Sequence, residues 1–112
     1  MKNKENVRRG KRNRQRGAEL QRHSVSLAKS MELNAFNRDR GGAQHEMGDV
    51  EIEDKFYGCK RRKKAPMWIF PEKQEVGVIF KADYKEPYIA ITLEHYLVLL
   101  SLIKQGIDNE ND

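Results

Sequence analysis

The chain has 112 residues, of which 22 are Lys or Arg and 17 are Asp or Glu, so its formal net charge is +5. This length predicts one small domain with a modest core. The single cysteine excludes an internal disulfide framework and a zinc site built mainly from thiolates, and a free thiol fits the reducing interior of a cell. We find neither the roughly 18 apolar residues of a membrane span nor a secretory signal behind the charged first residues. We therefore expect a cytoplasmic protein with no membrane partner.

Positive charge is concentrated in residues 1–16, which carry eight Lys or Arg and one Glu. This segment has almost no apolar residue, so we expect a disordered basic N-terminal arm. A second basic run covers residues 60–64. Neither run has the aromatic or leucine face of an interfacial helix, which favours nucleic acid over an acidic membrane surface as the partner. The cations expected to contact it are Arg8, Arg9, Lys11, Arg12, Arg14, Arg16, Arg40, Arg61, Arg62, Lys63 and Lys64.

The periodicity of apolar residues predicts an α/β protein. The predicted elements are a helix at 18–33, a strand at 35–38, a loop at 40–45, a hairpin at 49–60, a short helix or turn at 65–71, strands at 76–82 and 88–92, and a helix at 93–103. We expect a mixed β-sheet flanked by helices in a domain spanning 17–104, followed by an acidic tail at 105–112. The last helix is apolar nearly all round, so it must bury more than one face. This favours a homodimer, because a monomer would expose a large apolar patch.

The hairpin at 49–60 carries the candidate chemistry. A two-residue turn at Glu53 and Asp54 sets a register in which Asp49 lies opposite Gly58. Strict alternation then puts Glu51 on the same face as Asp49, and Lys60 on the same face as Gly58.

Two carboxylates and a lysine stand near the ends of predicted elements: Glu19 in the first helix, Asp49 at a strand start and Lys60 on the next strand. Acidic groups at the end of a sheet can hold Mg²⁺, and a lysine beside them can stabilise a phosphate under attack. Each residue taken alone also has an ordinary role, as a helix-dipole partner, a turn aspartate or a solvated edge. The histidines His23, His45 and His95 lack metal-ligand spacing, which disfavours a zinc or HNH-type site.

Four short motifs, by their order and spacing, resemble those of the PD-(D/E)xK nuclease superfamily, and within it the phage Holliday junction resolvases of the archaeal resolvase type. The motifs are Gly17-Ala18-Glu19, Arg40-Gly41-Gly42, Gly48-Asp49-Val50 and Cys59-Lys60-Arg61-Arg62-Lys63. The resemblance covers about residues 15–103. It implies a restriction-endonuclease-like fold, a symmetric dimer and a DNA endonuclease that cuts four-way junctions with Mg²⁺, or Mn²⁺ in its place, in a bacterial or phage-infected cell. It assigns Asp49 as the main metal ligand, Glu19 as the helix carboxylate and Lys60 as the motif lysine.

One position departs from the pattern, since the family's Glu-x-Lys is Gly58-Cys59-Lys60 in this chain. Three explanations stay open. Glu51 substitutes as the carboxylate, the chain carries an inactivating Glu→Gly change, or it is a nuclease-derived protein that binds branched or duplex DNA without cutting. A basic RNA-binding protein is a further alternative.

Overall fold

The computed structural model describes residues 4–38 and 49–110, with side chains in 15–38 and 49–109. It contains two compact units, Met1–Arg61 and Arg62–Asp112. Each described unit has helical segments and one small antiparallel sheet, which confirms the α/β class. Instead of the single mixed sheet that we expected, the described strands form two sheets without a parallel pair. Strands 50–52 and 55–57, and strands 77–80 and 88–91, are joined by short connections, whereas a parallel pair needs a crossover of a dozen or more residues.

The first unit consists of helix α1 (Lys4–Ser30) and strands β1 (Ala35–Asn37), β2 (Val50–Ile52) and β3 (Lys55–Tyr57). The helix begins well before residue 18, so it includes most of the segment for which we predicted a disordered arm. Arg, Lys, Gln and Glu are good helix formers, and extending an existing helix avoids the cost of nucleation. The side chains of Arg8, Arg9, Lys11, Arg12 and Arg14 lie outside the described residues.

The end of helix α1 is followed by a residue in the left-handed conformation. Glu32 has φ 62° and donates its N–H to the Lys29 carbonyl at 3.0 Å, while Leu33 donates to the Ala28 carbonyl at 3.1 Å. This pair of bonds is a Schellman motif, which satisfies carbonyls that the helix leaves without partners. Leu33 is thereby turned into the core, where it is buried with Ala28.

The three strands of the first unit form an antiparallel sheet in the order β1-β2-β3. Helix α1 packs against β1 and β2. The core contains the buried residues Ala35, Val50 and Ile52 of the sheet, and Val25 and Ala28 of the helix. One face of the sheet is therefore covered by α1.

The hairpin of β2 and β3 has the predicted two-residue turn. Ile52 pairs with Lys55, and Val50 pairs with Tyr57. Glu53 and Asp54 both have positive φ, 49° and 66°. Positive φ at both central residues defines a type I′ turn, whose twist suits a hairpin although glycine and asparagine are its usual residues.

The second unit contains a 3-10 helix (Met67–Ile69), strands β4 (Gly77–Phe80) and β5 (Tyr88–Ile91), and helix α2 (Leu93–Glu110). These confirm the predicted short helix, the strand pair and the last helix. A Cβ at Gly77 would lie 2.6 Å from a methyl group of Ile91, so this strand position requires glycine. Helix α2 continues past residue 103, because Ile107 extends its apolar spacing. Among the described residues, neither helix has the length and apolar character that crossing a membrane requires.

Candidate functional site

Asp49 lies where the regular pairing of β2 ends. Its N–H donates to the Tyr57 carbonyl at 2.9 Å, and its own carbonyl accepts the Arg38 N–H at 2.9 Å. In a regular strand the N–H and C=O of one residue point to the same neighbouring strand, whereas those of Asp49 point to opposite neighbours. This is the arrangement of a β-bulge, a feature that reorients a side chain at the rim of a sheet.

The carboxylate of Asp49 is directed at the backbone after β3. Its Oδ2 accepts the N–H of Cys59 at 2.7 Å, and the residue is only 7% exposed. Asp49 thus contacts both neighbours of Gly58, Tyr57 through its backbone and Cys59 through its side chain. The predicted hairpin register is confirmed as far as the pair of Val50 and Tyr57. Beyond this pair, Asp49 is bonded to the residues on either side of Gly58.

Position 58 has room for a side chain. A Cβ built on Gly58 would meet no atom within 4 Å, and the backbone there does not adopt the left-handed conformation that favours glycine. Glycine is therefore not required at this position by packing or by backbone strain.

Glu51 forms an ion pair in the middle of the sheet. Arg38 donates to its Oε1 from Nη2 at 2.7 Å and from Nε at 3.2 Å. The Glu51 side chain is 10% exposed and the Arg38 side chain is 43% exposed. A buried carboxylate needs such compensation, because removal of its hydration is costly. The alternation that predicts a common face for Asp49 and Glu51 is interrupted by the bulge between them.

Glu19 and Arg61 join helix α1 to the segment that follows β3. Arg61 Nη1 lies 3.2 Å from Glu19 Oε2 and 3.5 Å from the carbonyl of Arg16. Both side chains of the ion pair are about half exposed, so the pair contributes little stability. Within the described residues, no three His, Cys, Asp or Glu side chains are grouped as metal ligands, so Glu19 does not form such a group with Asp49 and Glu51.

Cys59 lies half-buried between the sheet and α1. Burial raises the pKa of its thiol, and the negative charge of Asp49 raises this pKa further. A hydrogen bond with Ser24 acts in the opposite direction. Ser24 is buried, and its hydroxyl donates to the Leu20 carbonyl at 2.7 Å. A raised pKa keeps the thiol protonated at neutral pH, which suits a packing residue and not a nucleophile.

The remaining predicted cations of the described chain are exposed. They are Arg16, Lys60 and Arg61 in the first unit, and Arg62, Lys63 and Lys64 in the second. Arg40 lies outside the described residues. Lys60 is the next residue after Cys59, whose backbone N–H donates to the Asp49 carboxylate.

The oxygen atoms at this site suit magnesium. Asp49 Oδ1 has no hydrogen-bond partner among the described residues although the carboxylate is buried, and a buried polar atom without a partner is costly. Both Arg38 bonds go to Oε1 of Glu51, which leaves Oε2 as a second oxygen of the same chemistry. Mg²⁺ is commonly held by one or two carboxylates together with water and substrate phosphate. The carboxylate of Asp49 fits that donor set.

Sequence reasoning missed Arg38 as a residue of the site. Its signal was present, since it is a cation at the end of a predicted strand. Its partner was not predictable, because the ten residues between Arg38 and Asp49 leave the register of the two strands open. It also missed the bond between Asp49 and the Cys59 N–H, because a bulge is not visible in an alternating pattern. Compared with protein-family models, with curated proteins and with solved structures, the chain matches none.

Proposed function

We propose that this protein is a Mg²⁺-dependent DNA endonuclease that cuts four-way junctions, with a restriction-endonuclease-like architecture and a homodimeric assembly. The observation that carries the proposal is the carboxylate of Asp49. It is 7% exposed, it is oriented by the Cys59 N–H, and its second oxygen has no partner among the described residues. A buried, oriented and incompletely satisfied carboxylate is a typical metal ligand beside a phosphate site.

The residues of the first unit have separate roles in this proposal. Asp49 would hold the metal, and the ion pair with Arg38 orients Glu51. Bound Mg²⁺ supplies an activated water and neutralises charge on the phosphate. Lys60, which is exposed next to the Asp49–Cys59 bond, stabilises negative charge on the scissile phosphate. Glu19 lies at the edge and orients Arg61 through their ion pair.

The basic residues bind the DNA backbone without reading sequence. Lys60, Arg61 and Arg16 are exposed cations near one another along α1 and the end of β3. Cations of this kind contact phosphates, position the protein and make affinity depend on salt. If the protein contacts about five phosphates, the logarithm of the association constant falls with the logarithm of the salt concentration at a slope of about −4 to −5.

A second candidate is a DNA-binding protein of the same architecture that does not cut. Two observations favour it. Gly58 provides no carboxylate beside Asp49, and Glu19 and Glu51 are each paired with an arginine. In this candidate the paired carboxylates orient cations toward phosphate, and no metal is needed for binding.

One assay separates the candidates. Labelled four-way junction, duplex DNA and RNA are each incubated with the protein, with Mg²⁺ or with a chelator, and both binding and strand cleavage are measured. The endonuclease cuts junctions only with Mg²⁺. The binding protein retains junctions or duplex in both conditions without cutting, and preferential retention of RNA contradicts both candidates.

A further inference from the structure

The outer face of the first sheet carries two aromatic side chains in one row. Phe36 on β1 pairs with Glu51 on β2, and Glu51 pairs with Phe56 on β3. Residues that pair directly across antiparallel strands project to the same face. The three side chains therefore share a face, with the carboxylate between the two rings.

This face is not the one that α1 covers. The neighbouring positions Ala35, Val50 and Ile52 are buried in the core beneath the helix, and side chains alternate between faces along a strand. Phe36 is 48% exposed and Phe56 is 37% exposed, while Glu51 between them is buried. The two half-exposed rings in one row are open to a stacking contact with a flat apolar partner.

An arginine lies beside one of the two rings on this face. The guanidinium carbon of Arg38 lies 5.5 Å from the centre of the Phe36 ring, and the same group pairs with Glu51. The arginine side chain is 43% exposed and the carboxylate side chain is 10% exposed, so an approaching ligand meets the cation first. An aromatic ring with an arginine at its side complements a nucleobase attached to a phosphate.

The spacing of the rings selects the state of the nucleic acid. The two rings stand on strands separated by one other strand, which places them about 9.6 Å apart at the backbone. Bases stacked in a duplex are about 3.4 Å apart. The rings are thus too widely separated to stack on neighbouring paired bases, and they suit bases that are unpaired and unstacked.

We propose that Phe36 and Phe56 form a stacking platform for unpaired bases of DNA, with Arg38 contacting the connecting phosphate. The platform rests on the proposed DNA-binding function but does not depend on cleavage. It extends the proposed substrate class to DNA that carries single-stranded segments beside the junction. Stacking on aromatic rings tolerates any base, so the platform recognises strand state and not sequence.

The test measures binding of the full chain in chelator, where no metal-dependent cutting interferes. The probes are a short single strand of DNA, the same sequence as RNA and the corresponding duplex. The variants are Phe36→Leu and Phe56→Leu, which keep an apolar side chain, and the matched control is Phe70→Leu, an exposed aromatic change in the second unit. Thermal melts establish that all variants are folded.

Each sheet variant is expected to weaken binding of single-stranded DNA by at least about fivefold, as loss of one stacked base does, and to leave duplex binding unchanged. Phe70→Leu leaves both unchanged. The fluorescence of 2-aminopurine falls when the base stacks. A DNA probe that contains it should be quenched by the parent protein but not by Phe36→Leu or Phe56→Leu.

If both sheet variants bind single-stranded DNA with parental affinity, the platform proposal is overturned. The proposed binding of junctions is not affected by that result. Tighter binding of RNA with the same dependence on the two rings overturns the assignment to DNA. Failure of the parent to bind any DNA overturns the proposed function itself.

Discussion

The carboxylate of Asp49 accepts the backbone N–H of Cys59 at 2.7 Å and thereby spans Gly58. A regular pair at this point would use backbone groups only, so the side chain of Asp49 replaces a backbone acceptor. The bond fixes one carboxylate oxygen and leaves the other available. The position that this bond spans is the one at which a nuclease of the proposed family would carry a second carboxylate.

Gly58→Glu tests whether that second carboxylate is missing. The position has no atom within 4 Å of a built Cβ, so the glutamate is expected to fold without strain. It adds an oxygen ligand next to Asp49, so if the parent lacks a second carboxylate this variant should create or greatly raise Mg²⁺-dependent cutting of a junction. Gly58→Gln is the matched control, with the same size and no charge, and should not cut better than the parent.

A different result for Gly58→Glu identifies Glu51 as the substitute. In that case the parent cuts, Glu51→Gln stops cutting, and Gly58→Glu changes little. If neither the parent nor Gly58→Glu cuts with Mg²⁺ or Mn²⁺, the non-cleaving DNA-binding protein is the better account.

The ion pair of Arg38 and Glu51 is expected to stabilise the first unit. Arg38→Met leaves a buried carboxylate without its partner and should lower the free energy of unfolding by about 1–3 kcal/mol, less than for a fully buried pair because the arginine is half exposed. Adding Glu51→Met to this variant should recover part of the loss. Urea denaturation measures both changes.

Arg61→Met is the control for that experiment. It breaks the exposed pair with Glu19, whose side chain is 59% exposed, and should change the free energy of unfolding by less than about 1 kcal/mol. Equal losses from Arg38→Met and Arg61→Met would contradict the role of burial.

The thiol of Cys59 reports on the charge of Asp49. Burial and then the carboxylate of Asp49 raise the pKa of the thiol, so Asp49→Asn should lower this pKa and speed alkylation by iodoacetamide at neutral pH. Ser24→Ala removes a hydrogen bond that lowers the pKa, and should slow alkylation. The chain has one cysteine, so the total rate is read directly.

The same thiol gives a test of metal binding that does not depend on activity. Mg²⁺ at Asp49 should offset the negative charge and speed alkylation of the parent but not of Asp49→Asn. An identical response of both proteins to Mg²⁺ would place the metal elsewhere.

Asp54→Gly should stabilise the hairpin. Asp54 has φ 66°, a conformation that glycine adopts without steric cost. The expected gain in the free energy of unfolding is about 0.5–1 kcal/mol. Asp54→Ala removes the same carboxylate without relieving the backbone, and a gain of the same size in this variant would contradict the explanation.

Local patterns predicted the hairpin and both helices, because each depends on residues that are near in sequence. The turn at Glu53 and Asp54 fixed the pairing of Ile52 with Lys55, and the alternation of Val50 and Ile52 predicted which face is buried. The start of α1 was not predictable from apolar spacing, since its first turns contain almost no apolar residues and depend on helix propensity alone.

The candidate site was predicted only in part. Asp49 and Glu51 were selected as carboxylates, but pairing of Glu51 with Arg38 depends on how β1 aligns with β2. Ten residues between the described segments separate Arg38 from Asp49, and a connection of that length does not set a register as a two-residue turn does. The separation into two sheets likewise depends on tertiary contacts that periodicity does not encode.

The most direct test of the central claim compares cleavage with binding in Asp49→Asn. The variant keeps the size of the side chain and an oxygen that can accept the Cys59 N–H, but it removes the charge that holds Mg²⁺. Asp54→Asn, in the exposed turn, is the matched control. If the parent and Asp54→Asn cut a four-way junction with Mg²⁺ while Asp49→Asn binds the junction with parental affinity and does not cut it, the account holds. Cleavage by Asp49→Asn at the parental rate would contradict it.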